Sequence, residues 1–206
     1  MSAITIYGTT GMIGQDITRE AARRGHSVTG VSRHAPENPV EGVTYERGDL
    51  ADTGDFVRRA AGSDVVVVSV PPDRTGGPHE PYLQAHRGII AAAPSARLVV
   101  LGGAGSLHGE DGARLVDSPG FPEAYVKESR TASQMLELYR ADGARLDWVI
   151  VSPSPEIGPG EASAERRIGG DEPVGDYVSS GTLAAAVLDE IKEPSVRNAR
   201  FTVANA

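Results

Sequence analysis

Residues 3–14 have the sequence Ala3-Ile4-Thr5-Ile6-Tyr7-Gly8-Thr9-Thr10-Gly11-Met12-Ile13-Gly14, a strand-like run that passes directly into a glycine-rich turn. A helix-like stretch follows, in which Ile13, Ile17 and Ala21 recur at helical spacing. Glycines let backbone N–H groups approach an anion, and a helix N-terminus supplies partial positive charge. The spacing Gly-x-x-Gly-x-x-Gly between strand and helix therefore predicts a diphosphate site. Its candidate residues are Gly8, Thr10, Gly11, Met12, Ile13 and Gly14.

Composition limits the classes of protein to which the chain can belong. A length of 206 residues with 39% hydrophobic and 23% charged residues is typical of one globular domain. A net charge of −8 argues against nucleic acid as the main partner, because phosphates would be repelled. The absence of cysteine excludes disulfides and thiolate metal sites, and no other metal-binding motif is present. Because the first strand starts at once and no apolar run reaches membrane-spanning length, we expect a cytoplasmic protein that does not bind membranes.

Short apolar runs alternate with helical patterns along the chain, which is typical of βαβ units and a mainly parallel sheet. The runs Val65-Val66-Val67-Val68 and Leu98-Val99-Val100-Leu101 are continuous, as expected of central strands covered on both faces. The sequence therefore predicts one doubly wound α/β domain over residues 1–206. We expect further strands at 27–31, 43–46, 148–151 and 201–203, and helices at 52–61, 82–93, 122–141 and 183–191.

Residues 151–181 differ from the remainder of the chain. They are rich in Pro and Gly, contain several charges and show no clean period. Long segments of this kind in compact domains are usually functional loops or lids, so we interpret the segment as a substrate-side loop. Its paired Arg166-Arg167 is either a docking point for a partner or simply solvent-facing.

The position about twenty residues beyond the glycine turn distinguishes between NAD and NADP in folds of this kind. Here it holds Ser32-Arg33-His34, with no acid before Glu37. The planar guanidinium of Arg33 suits a 2′-phosphate, so we expect NADPH to be preferred over NADH. The alternative is that Arg33 is a plain surface residue after a strand.

Other candidate cofactor residues follow the third and fourth predicted strands. In Gly48-Asp49-Leu50, the Asp49 carboxylate can accept a hydrogen bond from the adenine amino group while the Leu50 backbone lines the base. Asp49 is equally consistent with a helix cap or a turn residue. Ser69 and Val70 end the fourth strand, where the chain of such folds passes the ribose on the nicotinamide side.

These motifs resemble those of the atypical short-chain dehydrogenases/reductases, as do Leu98-Val-Val-Leu-Gly-Gly-Ala-Gly-Ser-Leu107, Ser152-Pro153-Ser154 and the closing Phe201-Thr-Val-Ala204. Within that family the chain is most similar to the bacterial NAD(P)-binding flavin-reductase group, whose layout is that of the biliverdin-IXβ/flavin reductases. The resemblance covers nearly the whole length. It implies a Rossmann-like fold and a bound pyridine nucleotide, with Gly103 and Pro153 also at the cofactor. It is less informative about the substrate.

Ordinary members of that superfamily protonate their substrate with a Tyr whose pKa is lowered by a Lys four residues later on the same helix. Here Tyr125 is the candidate, but Ser129 occupies the later position. Lys127 is two residues on, which turns it roughly 200° around a helix and away from Tyr125. The serine usually found just after the fifth strand is displaced to Ser106. Carbonyl–alcohol chemistry is therefore disfavoured.

Three residues remain as catalytic candidates: Ser106, His108 and Tyr125. Ser106 and His108 follow the fifth strand, at the edge where ligands bind in open α/β sheets, and a histidine can donate a proton near neutral pH. His108 is also consistent with a loop histidine that has no role. Tyr125 shares a helical face with Ala132, Leu136 and Tyr139, which predicts an inward position in the core or the pocket wall. For His79 and His86 the default interpretation is a solvated helix face.

Hydride transfer to a flavin or a quinone-like compound fits these residues better than carbonyl reduction. Such planar acceptors delocalise the incoming charge, so water can supply the proton and catalysis is mainly positioning. Pro153, Ser154, Ile157 and the loop to Tyr177 are candidates for the pocket floor and its cover. We therefore predict an NADPH-dependent reductase, monomeric or homodimeric. The competing hypothesis is a catalytically weak NAD(P)-binding sensor that reports redox state to a protein partner.

Overall fold

Strands and helices alternate along the computed structural model, which describes residues 1–206. The strands are β1 (Ala3–Tyr7), β2 (Ser27–Ser32), β3 (Thr44–Arg47), β4 (Val65–Val68), β5 (Arg97–Leu101), β6 (Trp148–Pro153), β7 (Glu156–Gly158), β8 (Arg166–Gly169), β9 (Tyr177–Ser179) and β10 (Ala199–Asn205). The helices are α1 (Met12–Arg23), α2 (Thr53–Ala60), α3 (Glu80–Ala92), α4 (Glu123–Asp142) and α5 (Ser180–Lys192). Short 3-10 turns occupy Ala104–Ser106, Leu115–Asp117 and Gly143–Arg145.

Eight of the strands form one sheet in the order β3-β2-β1-β4-β5-β6-β10-β8. Neighbouring strands are parallel except β8, which runs antiparallel to β10 at the sheet edge. The first six strands have the 3-2-1-4-5-6 order of a doubly wound nucleotide-binding fold. The predicted single-domain α/β fold is thus confirmed. Its topological switch point, where ligands bind in such sheets, lies between β1 and β4.

Two apolar cores lie on opposite faces of the sheet, because successive side chains of a strand point to opposite sides. On β4, Val65 and Val67 belong to the core that contains Ile17 of α1. The alternate residues, Val66 and Val68, belong to the other core, with Phe56 of α2. Burial on both faces explains why this strand reads as a continuous valine run.

Local sequence determines where α1 and α2 begin and end. Asp52 caps α2, and its Oδ1 accepts a hydrogen bond from the Asp55 N–H at 2.9 Å. Gly25, with φ +78°, follows the end of α1 at Arg23, as its position after two basic residues predicts. None of the helices combines the length and the apolar character needed to cross a membrane.

Residues 151–181 contain more regular structure than their irregular pattern predicts. After β6, strands β7 and β9 pair in parallel as a separate two-stranded sheet. β8, which includes Arg166 and Arg167, pairs with β10. Arg166 does not simply face solvent, because it forms an ion pair with Asp189 of α5. Strands of three or four residues are too short to show a period, and Arg-Arg-Ile-Gly does not alternate as an apolar strand would.

His86 is a correction to the sequence-based interpretation, because it is fully buried rather than solvated. Its Nδ1 lies 3.1 Å from the Tyr139 hydroxyl, and its Nε2 has no hydrogen-bond partner. Its ring meets that of Tyr82 edge-on, with centroids 4.5 Å apart. Burial lowers the pKa of His86 to about 3, so the folded protein holds a neutral imidazole in its core.

Candidate functional site

The glycine turn follows β1 and lies between the ends of its two neighbours in the sheet, β2 and β4. The Gly8 N–H donates to the Val31 carbonyl at 2.9 Å, and the Ser69 N–H donates to the Tyr7 carbonyl at the same distance. Gly8 has φ +88°, and a Cβ placed there would lie 2.3 Å from the Ser69 carbonyl oxygen. Both its backbone conformation and its surroundings therefore require glycine.

The other two glycines of the turn have different roles. A Cβ on Gly14 would lie 2.0 Å from the Gly8 carbonyl oxygen, so this glycine allows α1 to pack directly against the turn. Gly11 is exposed, and a Cβ there would meet only the Gly8 carbonyl oxygen, at 3.5 Å. The fold itself therefore leaves room for a side chain at Gly11. What glycine preserves at this position is open access to the backbone.

The N-terminus of α1 has the features of an anion site. Its cap, Gly11, provides no side-chain hydrogen bond, and the first turn contains no acidic residue. Thr10 and Met12 are exposed and Ile13 is half-buried, so the first amides lie at the surface. Unpaired amides and the helix dipole favour a negative group there, and the residues present fit the diphosphate of a dinucleotide.

Arg33 lies beside this turn. Ser32 Oγ donates to the His34 carbonyl at 2.6 Å, which folds the chain tightly and leaves Arg33 at the bend. Because Tyr7 and Val31 are register partners, the bend leaves the sheet next to the glycine turn. Arg33 is exposed, and none of the ion pairs of the protein includes it. Its guanidinium is thus exposed and unpaired at the bend next to the glycine turn.

Asp49 and Leu50 are placed against the same bend. The Gly48 N–H donates to the Ser32 carbonyl at 3.1 Å, which brings the segment next to the end of β2. Asp49 Oδ1 accepts a hydrogen bond from the Ala51 N–H at 3.0 Å, and its side chain is exposed. Leu50 is buried. Asp49 is therefore a turn residue whose second oxygen is accessible to a ligand.

The predicted residues of the nicotinamide side lie at the same edge of the sheet. Ser69 is buried and Val70 half-buried at the end of β4. The Gly102 N–H donates to the Val151 carbonyl at 2.9 Å, and Ser152 Oγ lies 3.4 Å from the Gly103 carbonyl oxygen. Pro153, which ends β6, is buried. The ends of β1 to β6 thus bring all the cofactor candidates to one edge of the sheet.

Ser106, a catalytic candidate, is buried and its hydroxyl is fully engaged. It donates to the Gly103 carbonyl at 3.1 Å and accepts a hydrogen bond from Arg200 Nη1 at 2.6 Å. A hydroxyl held in this way has no free proton for a substrate. His108 is half-buried, and its backbone N–H donates to the Asp171 carbonyl at 2.9 Å.

Tyr125 is not on the inward face that its spacing predicts, because 60% of its surface is exposed. The buried residues of α4 begin only at Thr131, and none of the residues in its first two turns is buried. Lys127 is directed elsewhere, since its Nζ donates to the Gly77 carbonyl at 2.9 Å. The structure therefore contains no Tyr–Lys pair at this position.

Comparison with known proteins identifies the family. The sequence pattern of the family described as NAD(P)H-binding matches residues 8–194. The chain belongs to the NAD(P)H-binding family. The uncharacterized protein YwnB of Bacillus subtilis (strain 168) is 32% identical over 213 residues, which cover 97% of this chain and 97% of YwnB.

Solved structures agree with this assignment. A candidate exported protein from Burkholderia pseudomallei is 32% identical, with a TM-score of 0.86 over 99% of this chain and 100% of its own. SP1627 from Streptococcus pneumoniae TIGR4, described as a candidate NADH-flavin reductase, is 23% identical, with a TM-score of 0.85 over 100% of both chains. At this lower identity the likeness is one of fold. The expected NAD(P)-binding family is thus confirmed, and the likeness to a flavin reductase is one of fold alone.

In this NAD(P)H-binding protein, the loop between β4 and α3 is held against α4 by side-chain hydrogen bonds. Arg74 pairs with Glu128 through two hydrogen bonds, of 2.9 and 2.5 Å. His79 lies between loop and helix, with Nε2 2.8 Å from the Asp73 carbonyl oxygen and Nδ1 2.7 Å from Thr131 Oγ1. The predicted solvated helix face is therefore wrong for His79, which is half-buried and hydrogen-bonded through both ring nitrogens.

A buried arginine near the site escaped the sequence analysis. Arg200 is the second residue of β10, and its side chain is 0% exposed. It contacts Ser106 and Asp171, which are 94 and 29 residues away in the chain. A charged residue inside an apolar strand-like run indicates a buried ion pair, but sequence alone does not identify the partners of Arg200.

Proposed function

We propose that this member of the NAD(P)H-binding family is an NADPH-dependent oxidoreductase that transfers hydride to a planar acceptor, a flavin or a quinone-like compound. The observation that carries the proposal is the glycine cradle at the switch point of the sheet, with a free guanidinium beside it. The likeness of fold to SP1627 supports a planar acceptor. The exposed Tyr125 and the engaged Ser106 support an acceptor that needs no protein acid.

In this proposal, each part of the site has a physical role. The amides of the glycine turn bind the diphosphate, Arg33 binds the 2′-phosphate, and Asp49 and Leu50 bound the adenine. Ser69, Val70, Gly103 and Pro153 hold the nicotinamide end, and the bound nucleotide supplies the hydride. The main task of the protein is to position ring against ring and to exclude water.

Residues 151–181 form the acceptor side of the proposed site. Ile157 of β7 is half-buried, and its register partner is Val178 of β9. Tyr177, which precedes Val178, is 40% exposed. Ile157 and Val178 pack against the core on one face of the small sheet, and Tyr177 lies on the other face, because successive side chains of a strand alternate. The exposed ring of Tyr177 thus offers an aromatic surface, which suits a flat conjugated ring.

Substituting Arg33 tests the preference for NADPH. Arg33→Ala should weaken NADPH binding by about ten- to a hundredfold, the effect of losing hydrogen bonds to a charged group, and leave NADH binding within about twofold. Isothermal titration of both nucleotides against wild type and variant measures this. Arg145→Ala is the matched control, because Arg145 is an exposed arginine on the turn before β6, far in sequence from the cradle. Equal losses for both nucleotides, or equal wild-type affinities, would contradict the preference.

Steady-state turnover tests the acceptor. We expect NADPH oxidation with FMN, FAD or quinones and little with aldehydes or ketones, because the site holds no Tyr–Lys pair. Absorbance at the nicotinamide band with each acceptor at saturating nucleotide measures it. Activity confined to aldehydes and ketones would overturn the acceptor class. Nucleotide binding without oxidation by any acceptor would favour the sensor instead.

A further inference from the structure

Arg200 is a buried cation held by an unusually complete set of partners. Its Nε donates to Asp171 Oδ1 at 2.8 Å, its Nη1 donates to Ser106 Oγ at 2.6 Å, and its Nη2 donates to the Asp171 carbonyl at 3.2 Å. Nη2 also lies 2.5 Å from Asp171 Oδ1. A buried charge is costly unless it is paired and hydrogen-bonded, so these partners constrain the side chain to one position.

The hydrogen bonds continue from Arg200 to the nicotinamide side of the site. Ser106 Oγ, which accepts from Arg200, donates in turn to the Gly103 carbonyl at 3.1 Å. Ser152 Oγ lies 3.4 Å from the same carbonyl oxygen. The orientation of the Gly103 peptide therefore depends on two hydroxyl groups, one of which is fixed by Arg200.

At its other end the network reaches the substrate-side segment and α4. Arg140 of α4 donates to both carboxylate oxygens of Asp171, at 2.7 and 2.9 Å. The Asp171 carbonyl accepts from the His108 N–H as well as from Arg200. Burial raises the pKa of Asp171, but the guanidinium groups of Arg200 and Arg140 outweigh it and the pKa is lowered. Asp171 is thus an anion that joins α4, β10 and the loop after β5.

We propose that Arg200 is a positioning residue for hydride transfer: it fixes the Gly103 turn that holds the nicotinamide end and ties that turn to the loop after β8 through Asp171. The inference rests on the proposed function. It assigns Ser106 to the support of this turn, not to proton donation. The geometry requires a guanidinium, because only its fork of donors can reach Ser106 Oγ, Asp171 Oδ1 and the Asp171 backbone carbonyl oxygen at once.

Two single variants and their combination test the proposal. Arg200→Lys keeps the charge but not the fork, and Ser106→Ala removes the link to Gly103. Arg97→Lys is the matched control, because Arg97 is also a buried arginine paired with an acid, Glu190 at 2.5 Å, but stands at the start of β5, the opposite edge of the sheet. The measurements are the NADPH dissociation constant, the fluorescence emission of saturating bound NADPH, and kcat with the best acceptor.

We expect Arg200→Lys and Ser106→Ala to keep the NADPH dissociation constant within about twofold, since the diphosphate cradle is intact. Both should alter the emission of the bound nicotinamide and lower kcat by about ten- to a hundredfold, the effect of a small misplacement of a reacting group. The double variant should be no worse than the poorer single one, because both break one chain of hydrogen bonds. Arg97→Lys should change neither emission nor kcat.

Three results would overturn the inference: wild-type emission and kcat in both single variants, additive losses in the double variant, or the same loss in Arg97→Lys. If wild type binds NADPH but oxidises it with no acceptor, the proposed acceptor class fails. The emission comparison then still decides the role of Arg200. If wild type binds no pyridine nucleotide, the proposed function and this inference both fail.

Discussion

Gly14→Ala is expected to remove most NADPH affinity and to destabilise the fold. Its added Cβ would lie 2.0 Å from the Gly8 carbonyl oxygen, so α1 and the turn must separate. Overpacking of this kind costs about 1–3 kcal/mol of stability. The same shift moves the amides that we propose to bind the diphosphate, and losing even one charge-assisted hydrogen bond weakens binding by about tenfold or more. Thermal unfolding and isothermal titration with NADPH measure the two effects.

Gly11→Ala separates the loss of NADPH affinity from the loss of stability. Because its Cβ would meet only one oxygen at 3.5 Å and φ is −80°, the variant should unfold like wild type. It should nevertheless weaken NADPH binding, since a methyl group would stand where the diphosphate approaches the amides. Gly62→Ala, whose Cβ would lie 3.7 Å from the Arg59 carbonyl oxygen in the loop after α2, is the control for both properties. Wild-type affinity in Gly11→Ala and Gly14→Ala alike would mean that the nucleotide does not bind at this turn.

The fold could be predicted from sequence because its signals are local. The valine run 65–68 is a strand with the predicted bounds, and the helix predicted at 122–141 spans Glu123–Asp142. The glycine spacing likewise identifies the turn, since the positive φ of Gly8 and the clash of a Gly14 Cβ with the Gly8 carbonyl oxygen both arise within residues 8–14. Such features need no knowledge of distant partners.

The parts that could not be predicted depend on contacts between distant residues. Arg200 gains its place from Ser106 and Asp171, and no spacing rule connects the three. The spacing of Tyr125 is that of an inward residue, but it lies in the first turn of α4, and the buried part of that helix starts only at Thr131. His86 is different, because Tyr82 and Ile89 stand four residues before and three after it on one buried face. That period was available in the sequence and indicated burial.

Acidification is expected to destabilise the protein through His86. Because burial lowers the pKa of His86 from 6.5 to about 3, the unfolded chain binds a proton below pH 6.5 that the folded protein does not. The stability from the neutral imidazole is thus present above pH 6.5 and is lost as pH falls towards 3. Because only the unfolded chain binds this proton, the free energy of unfolding should fall by about 2 kcal/mol between pH 7.5 and pH 5. Urea unfolding at a series of pH values measures it.

His86→Phe should remove this part of the pH dependence, although it leaves the Tyr139 hydroxyl without its partner and so lowers stability by about 1–3 kcal/mol at pH 7.5, where the wild-type imidazole is neutral. The change in the slope of unfolding free energy against pH, not the lower stability itself, identifies His86 as the titrating group. Acids whose pKa values are lowered in the fold, such as Asp171 and Asp189, also stabilise it less as pH falls, but their protons bind the unfolded chain only near pH 4. His34→Asn, which replaces an exposed histidine, should keep the wild-type slope. If wild type and His86→Phe instead have the same slope between pH 7.5 and 5, the buried imidazole is not the group that titrates.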